Sequence, residues 1–288
     1  KKDTWTTYTS FPGIRKAQLT SIYHDSHYVW IGTTNGLIRY NKRRKRVLNA
    51  PARAKARMEG YNEVRDRWEF FTRELSEWID PTGGSHSSFD LPIQYRCPFP
   101  DTKIFSIDGD SGYVYIATRS GLMRYDLRFS TSARLERTGY GKMIMLRQAI
   151  TQSRRKSVVN RRLLWRNLGW TFFQPTERLP KLRDMISDEI LDISVSRGHV
   201  WCATPRGLLH LDSRSESLEL ITREKGFPDN QVNTVSVWED QVWAGTPHGV
   251  AVKGLIGKGW VLFRMERALP SNYVTAVKAD HKLSLIHI

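Results

Sequence analysis

One short sequence phrase occurs four times: an aromatic residue, any residue, Gly or Ala, Thr, two further residues and Gly. Its copies begin at Trp30, Tyr115, Trp201 and Trp243. These aromatic residues are 85, 86 and 42 residues apart, which corresponds to two, two and one units of about 42 residues. Internal repeats constrain the fold of a chain more than any other feature, and this period is typical of a four-stranded β-propeller blade.

Each phrase lies inside a longer unit that reads as four short strands, named A to D. Short runs of β-branched and aromatic residues between Gly, Pro, Asn and Asp are strand and hairpin signals. Strand A carries two aliphatic residues, the first of them eleven residues before the aromatic: Leu19/Ile22, Ile104/Ile107, Ile190/Ile193 and Val232/Val235, with a fifth copy at Val274/Val277. The phrase supplies strand B, and the apolar residues after its Gly supply strand C. Strand D is predicted to begin at Trp5, Trp68, Trp170 and Trp260, with Leu218 as a weaker version.

These residues resemble the two-component regulator propeller repeats. Residues 5–9 match that family's Trp-x-x-Tyr-Thr opening, and residues 226–232 and 269–274 match its Leu-Pro-x-Asn-x-Val approach to strand A. The resemblance covers about two thirds of the chain. It implies an all-β fold, a β-propeller of four-stranded blades. It also implies an extracytoplasmic, periplasmic sensor module ahead of a membrane span and a histidine kinase, which would be the downstream signalling domain. Because propellers serve many unrelated functions, the resemblance predicts the fold more strongly than the function.

The domain prediction is a single β-propeller over residues 1–282, as part of an incomplete propeller. The chain begins without Met or a signal peptide, so we expect the native N-terminus to lie further upstream. Counting eleven from Val274 predicts an aromatic at position 285, where the sequence has Leu285. We therefore predict that residues 283–288 are a non-native tail, with a degenerate last strand as the alternative. The sequence has no run of about 18 apolar residues, so no segment of it is predicted to span a membrane.

The net charge of +16 lies in the two stretches that lengthen the repeat spacing. Residues 39–67 carry a net charge of +8 and residues 134–166 carry +9, which leaves −1 for all other residues. These stretches could be degenerate blades, since both intervals are close to two periods. They could also be insertions between strands C and D, at about 41–67 and 134–169, because Trp68 and Trp170 resume strand D where an insertion would end. We prefer the insertions.

Two insertions between strands C and D would protrude from the same face, because these connections lie on one side of every blade. We predict that they form a cationic patch for an anionic polymer or surface, attracted by the summed field and by counterion release. A solvated basic loop without a specific partner is the alternative. No recognised nucleic-acid-binding module is present, so nucleic acid is not the favoured partner. The candidate residues are Arg43, Arg44, Lys45, Arg154, Arg155 and Lys156.

The opposite face is where propellers bind small ligands, near the mouth of the central channel. Residues just before strand A and in the turns between strands B and C should reach this face. Their mixture of acid, base, amide and imidazole suits a carbohydrate or another polar ligand, and an ordinary solvated rim is the alternative. The candidates are Gln18, Lys103, Glu189, Gln231 and Tyr273 before strand A, and Asn35, Arg119, Arg206 and His248 in the turns. Residues 73–101 are predicted to be a loop or lid over the same face.

No catalytic or cofactor motif is present: the sequence lacks His-Glu-x-x-His, Cys-x-x-Cys, Gly-x-Ser-x-Gly and Gly-x-x-x-x-Gly-Lys. Residues 108–112 resemble the start of a calcium loop but lack its distal acid, and they lie where a hairpin turn is expected. We therefore predict no catalytic residue, no metal and no cofactor, and a non-enzymatic ligand-sensing propeller. One alternative is a propeller scaffold that docks an anionic partner through the basic insertions. Another is a propeller enzyme such as a polysaccharide lyase, because such enzymes collect their residues from separate blades.

Overall fold

The structure is a computed structural model that describes residues 17–42, 68–72, 93–96, 103–129, 169–173, 189–254, 259–264, 271–279 and 284–287. Its described secondary structure consists of β-strands and two short 3₁₀ segments, which confirms the all-β prediction. The chain forms two compact units, Lys1–Lys103 and Ile104–Ile288. Within the described ranges, no helix has the length and apolar character needed to cross a membrane.

The first unit contains one five-stranded sheet with its strands in chain order. Its first four strands pair antiparallel and form blade I, while the fifth adds to the fourth in parallel. The five strands are β1 (Leu19–His24), β2 (Tyr28–Thr33), β3 (Gly36–Asn41), β4 (Trp68–Thr72) and β5 (Ile93–Arg96).

Strand β5 corrects part of the loop or lid predicted for residues 73–101. It pairs with β4, the outermost strand of blade I, with Glu69 opposite Ile93. The outer edge of a four-stranded blade presents unpaired N–H and C=O groups that readily accept another strand, which explains why an extended segment pairs there. The rest of the predicted lid lies outside the described residues.

The second unit contains three four-stranded antiparallel sheets and one strand pair. Blade II comprises β6 (Ile104–Gly109), β7 (Tyr113–Thr118), β8 (Gly121–Asp126) and β9 (Trp170–Phe173). Blade III comprises β10 (Asp192–Ser196), β11 (His199–Thr204), β12 (Gly207–Asp212) and β13 (Ser217–Ile221). Blade IV comprises β14 (Thr234–Trp238), β15 (Gln241–Thr246), β16 (Gly249–Lys253) and β17 (Trp260–Phe263). The pair is β18 (Ala276–Ala279) and β19 (Ser284–His287).

The predicted strand landmarks lie where the repeat placed them. The four phrases form the B strands and the turns that follow, and Trp68, Trp170 and Trp260 begin the D strands of blades I, II and IV. The weaker landmark at Leu218 lies in the D strand of blade III. The landmark at Trp5 lies outside the described residues. Residues 284–287 pair antiparallel with β18, so they occupy the position of a strand B. That residues 283–288 are a non-native tail stays a prediction.

The Thr and Gly of the repeated phrase hold the turn between strands B and C. In all four copies the Thr hydroxyl donates to the carbonyl of the Gly, at 2.8 Å in three copies and 2.9 Å at Thr246. The same oxygen accepts the N–H two residues further on, at 3.1 Å in three copies and 3.2 Å at Thr204. Each turn therefore satisfies its polar groups with one side chain, as local hydroxyl turns commonly do.

The Gly of the phrase is required for two reasons. Gly207 and Gly249 both have φ of 138°, a conformation that residues with a Cβ rarely adopt. A Cβ at Gly207 would also lie 2.7 Å from the carbonyl oxygen of Ile221 on strand D. At Gly249 a Cβ would overlap the carbonyl oxygen of Phe263 in the same way. The phrase thus specifies both the turn and the close approach of strand D.

Consecutive blades of the second unit pack face to face through apolar side chains. Tyr115 and Leu122 of blade II lie in one buried cluster with Ile193 and Leu209 of blade III. Blades III and IV share a second cluster, and Val250 and Val252 of blade IV pack with Val274 and Val277 of the fifth repeat. Cys202 is fully buried between blades II and III, where it packs as a small apolar side chain.

Side-chain oxygens join the A strands of consecutive blades, whose edges would otherwise lack partners. In one series the acceptor is the side chain four residues after the first aliphatic residue of strand A. The donor is the backbone N–H five residues after the first aliphatic residue of the next repeat. In this series the Asp108 carboxylate accepts from Val195 N–H at 2.7 Å, Ser194 Oγ from Val237 at 3.0 Å, and Ser236 Oγ from Ala279 at 3.0 Å. In the second series Asp192 accepts from Val235 N–H at 3.0 Å and Thr234 Oγ1 from Val277 at 3.4 Å.

Both basic stretches connect strands C and D of a single sheet. In blade I, Tyr40 pairs with Trp68, and in blade II, Tyr125 pairs with Trp170. Blade II also contacts blade III directly, through the bond from Ile190 N–H to the Thr118 carbonyl at 3.2 Å. The choice between insertions and degenerate blades for the two stretches stays a prediction. The structure of the basic stretches themselves lies outside the described residues.

Candidate functional site

The candidate ligand-binding residues of the second unit lie at the junctions between consecutive blades. The segment before each strand A, here called the approach segment, ends at a residue whose backbone N–H donates to a carbonyl of the preceding blade. The accepting carbonyl belongs to the last residue of strand B: Ile190 donates to Thr118, Val232 to Thr204 at 3.0 Å, and Val274 to Thr246 at 3.1 Å. An approach residue of one blade therefore lies beside the B–C turn of the blade before it. We call residues 119–120, 189–191, 205–206, 228–233, 247–248 and 271–273 the rim.

The rim brings predicted residues together as three neighbouring sets. Arg119 is next to the segment that carries Glu189, Arg206 next to the segment that carries Gln231, and His248 next to the segment that carries Tyr273. Most of these side chains are exposed; Tyr273, at 55%, is one of the most exposed large aromatic residues described. In the first unit, Gln18 accepts the N–H of Thr34 at 3.0 Å, which places it beside Asn35. Lys103 is exposed.

A buried carboxylate that the sequence analysis missed fixes His248. The His248 ring nitrogen Nδ1 lies 2.8 Å from Oδ2 of Asp229, whose side chain is 11% exposed while that of His248 is 71% exposed. Burial opposes the charge of Asp229, but hydrogen bonds from His248, from the Asn230 N–H and from Thr246 outweigh it and lower the pKa of the carboxyl. The result is an exposed imidazole held by a charged group beneath it.

Gln231 is fixed in a comparable way. Its side-chain amide donates to Asn233 Oδ1 at 2.9 Å, and the amide of Asn233 donates to the carbonyl of Val274 at 2.9 Å. This chain of hydrogen bonds runs from blade IV to the fifth repeat. Asp229 lies in the Pro-Asp-Asn-Gln-Val approach and Asn233 follows it directly, so a polar residue two positions on either side of Gln231 was the signal that could have identified them.

The calcium-like residues 108–112 form the hairpin turn of blade II. Asp110 Oδ1 accepts the N–H groups of Gly112 at 2.8 Å and Tyr113 at 2.9 Å. Asp108 accepts those of Gly109 and Val195, and burial raises its pKa despite these bonds. Among the residues that the structure describes, no group of three or more His, Cys, Asp or Glu is placed to hold a metal ion. The carboxylates of this turn therefore serve the backbone.

The predicted cationic patch cannot be placed, because all six of its residues lie outside the described residues. These residues are Arg43, Arg44, Lys45, Arg154, Arg155 and Lys156. The prediction of an anionic partner at the insertions therefore stays a prediction.

No protein-family model matches this sequence, and no curated protein does. Among solved structures, the fold is similar to the extracellular domain of BT3049, assigned to the hybrid two-component systems of B. thetaiotaomicron. The two share 15% sequence identity with a TM-score of 0.50, over 90% of this chain and 26% of that one. At this identity the likeness establishes the fold: four-stranded blades of the β-propeller class.

Two further similar structures have lower TM-scores. One is the extracellular domain of BT4673 from B. thetaiotaomicron, at 14% identity and a TM-score of 0.47, over 91% of this chain and 24% of that one. The other is PorZ of Porphyromonas gingivalis, a surface component of the type-IX secretion system, at 12% identity and a TM-score of 0.49, over 94% and 25%. The chain thus spans about a quarter of the length of each of these solved chains.

Proposed function

We propose that this chain is part of a non-enzymatic, extracytoplasmic sensor propeller of the two-component regulator type, and that its rim binds a carbohydrate or a similar polyhydroxylated ligand. The observation that carries the proposal is the fixed polar pair on the rim of blade IV. Asp229 holds His248 at 2.8 Å, and Asn233 holds Gln231 at 2.9 Å. Side chains that are already ordered lose less conformational entropy when a ligand binds.

The chemistry of these groups suits sugar hydroxyls. An amide both donates and accepts hydrogen bonds, and Nε2 of His248 can bond to a hydroxyl while Nδ1 is held by Asp229. The exposed ring of Tyr273, on the approach segment next to His248, adds an apolar face against which a sugar ring can pack. The likeness to the extracellular domain of a protein assigned to the hybrid two-component systems supports a sensing role. In such a role the ligand would act on a signalling domain downstream.

A binding screen with matched variants tests this proposal. Short neutral and anionic oligosaccharides are titrated into the 288-residue chain by isothermal titration calorimetry. We expect at least one to bind, and we expect Gln231→Ala and His248→Ala to weaken it about tenfold, since each removes a hydrogen bond to an uncharged group. Ser215→Ala lies in the C–D turn of blade III, at the other end of the strands, and should leave binding unchanged. Binding that survives both rim substitutions would contradict the proposal.

A further inference from the structure

A cleft lies between blades III and IV, at the end of their strands opposite the rim. Its volume is 580 Å³. The A–B turns of both blades border it, and its walls include His199, His210, Arg214, Glu239 and Lys253. The equivalent junction between blades II and III holds an ion pair between Arg124 and Glu216. Comparison with that junction indicates what kind of group the cleft can bind.

The first relevant observation concerns the residue of strand C that pairs with the aromatic residue of the repeated phrase on strand B. This residue is Arg39 opposite Trp30 in blade I, Arg124 opposite Tyr115 in blade II, and His210 opposite Trp201 in blade III. Both arginines are buried and lie over an aromatic ring, at 4.5 Å from Tyr28 and 4.7 Å from Tyr113. The position thus holds a cation against aromatic rings in two blades.

In blade III both members of this pair are histidines. His199 replaces the tyrosine, and His210 stacks on Trp201 with their ring centroids 4.2 Å apart. Nδ1 of His199 lies 3.1 Å from Nε2 of His210. The neutral pair carries two ring protons, one of which lies in the hydrogen bond between the two imidazoles, and the pair becomes cationic when it takes up a third. A permanent charge in blades I and II is therefore replaced by one that depends on pH.

The second clue is the partner of the cation at the preceding junction. Arg124 of blade II donates through Nη2 to Oε1 of Glu216 at 2.7 Å, and Glu216 comes from the C–D turn of blade III. The chain thus supplies a carboxylate to this position from the next blade. At the junction between blades III and IV, neither His210 nor Lys253 forms an ion pair with a carboxylate among the described residues.

Lys253 adds a second cation to the site. It takes the place that the buried Leu211 has in blade III, and its Nζ lies 5.8 Å from the Trp201 ring centroid and 5.9 Å from that of Trp260. Of the other charged groups of the cleft, Arg197 pairs with Asp240 at 3.2 Å, and Glu219 pairs with Lys225 at 3.1 Å. Arg214 and Lys253 therefore face one unpaired acid, Glu239, within the described part of the chain.

We propose that this cleft binds a small organic anion, with a ligand carboxylate beside His210 and Lys253 in the place that the Glu216 carboxylate takes at the preceding junction. The affinity of the cleft for the anion rises as the His199–His210 pair takes up a proton. Burial, followed by the charges of His199 and Lys253, lowers the pKa of His210, so His210 is neutral at neutral pH without a ligand. Asp212 and Glu219 also face His210, from β12 and β13, and act in the opposite direction. An anion adds to their effect and favours the charged pair.

Titration of the 288-residue chain with tartrate, which stays ionised throughout, tests the proposal. We expect about tenfold tighter binding at about pH 5.5 than at about pH 8, and no binding of the uncharged diamide of the same size. Lys253→Gln should weaken tartrate binding about tenfold, because it removes a charge-assisted contact. Arg223→Gln removes the same charge from an exposed turn outside the cleft and should leave binding unchanged.

His210→Arg is the sharpest variant, because it gives blade III the residue that blades I and II already carry there. It should bind tartrate equally well at both pH values. Tartrate binding that keeps its pH dependence in this variant, equal binding of the diamide, or no tartrate binding at the lower pH would each overturn the proposal. If the variant does not fold, the ring nitrogens of His199 and His210 in the unmodified chain provide the readout by NMR. Both should shift toward the protonated form when tartrate is added, and unchanged signals would refute the site.

Discussion

The carboxylate of Asp192 in blade III accepts the backbone N–H of Val235 in blade IV at 3.0 Å, although the two residues are 43 positions apart. The same carboxylate oxygen accepts the hydroxyl of Thr234 at 2.7 Å, and that hydroxyl oxygen in turn accepts the N–H of Val277 in the fifth repeat at 3.4 Å. One repeat length along the sequence thus becomes one hydrogen-bonded step between neighbouring A strands. Because the rim segments lie directly before the A strands, the sequence period also sets the spacing of the rim residues.

Asp192→Ala should lower the free energy of unfolding by about 1 to 3 kcal/mol, because it leaves the N–H of Val235 and the hydroxyl of Thr234 without their acceptor. Urea denaturation followed by tryptophan fluorescence measures the effect. The matched control is Asp240→Ala, whose carboxylate pairs with Arg197 at an exposed site, where ion pairs contribute about 0 to 1 kcal/mol. Equal losses for the two variants would argue against bonding between the A strands.

Gly249→Ala should destabilise the chain by about 2 to 4 kcal/mol. The new Cβ would require a strained φ of 138° and would overlap the carbonyl oxygen of Phe263, so strain and overlap both contribute. Thermal denaturation followed by circular dichroism measures the change. Gly259→Ala, where a Cβ would have no neighbour within 4 Å, is the control and should leave the melting temperature nearly unchanged. A stable Gly249→Ala variant would contradict the account of the repeated turn.

Arg124→Gln should cost more stability than Glu216→Gln. Arg124 is buried and lies 4.7 Å from the Tyr113 ring and 5.3 Å from the Phe173 ring, whereas the Glu216 side chain is 59% exposed. Removing the arginine thus loses packing as well as the ion pair. In a double-mutant cycle measured by urea denaturation, the coupling between the two residues should be about 1 kcal/mol or less, since one partner is solvated. A larger loss from Glu216→Gln would show that the ion pair dominates.

Asp229→Asn should make stability less dependent on pH in acid. Hydrogen bonds hold the pKa of Asp229 below its ordinary value, so its ionised form stabilises the fold above the unfolded pKa of about 4. That contribution is lost as the pH falls through the lower pKa of the folded state. The difference in the free energy of unfolding between the two proteins should therefore be largest near neutral pH and should shrink below about pH 4. Denaturation curves at several pH values measure it, and a constant difference would exclude this role of Asp229.

The sequence predicts the blades well because each strand depends on local signals. Trp170 and Trp260 begin D strands as expected, and the Gly of each phrase lies in the predicted turn. Strand β5 was missed because a segment of four residues carries no sign of which sheet edge it will join. The bonds between A strands were missed for a related reason: Asp192, Ser194 and Thr234 read as ordinary alternating polar residues until the neighbouring blade is placed.

The two candidate sites differ in how far the sequence reveals them. His248 and Gln231 could be predicted from their place in the repeat, but their supports, Asp229 and Asn233, depend on side-chain contacts. The pair formed by His199 and His210 depends on the register between β11 and β12. The residues nine positions after the aromatic of each phrase are Arg39, Arg124, His210 and Val252. Their comparison would have shown that blade III differs from its neighbours.

Amide hydrogen exchange with and without the tightest-binding oligosaccharide of the screen tests the central claim most directly, because it locates the bound ligand without any substitution. We predict slower exchange in residues 205–206, 228–233 and 247–248, which form the rim at the junction of blades III and IV and in the turn between strands B and C of blade IV. Protection confined to the A–B turns at residues 197–199 and 239–241, or no change at the rim, would contradict a sensor that binds its ligand there.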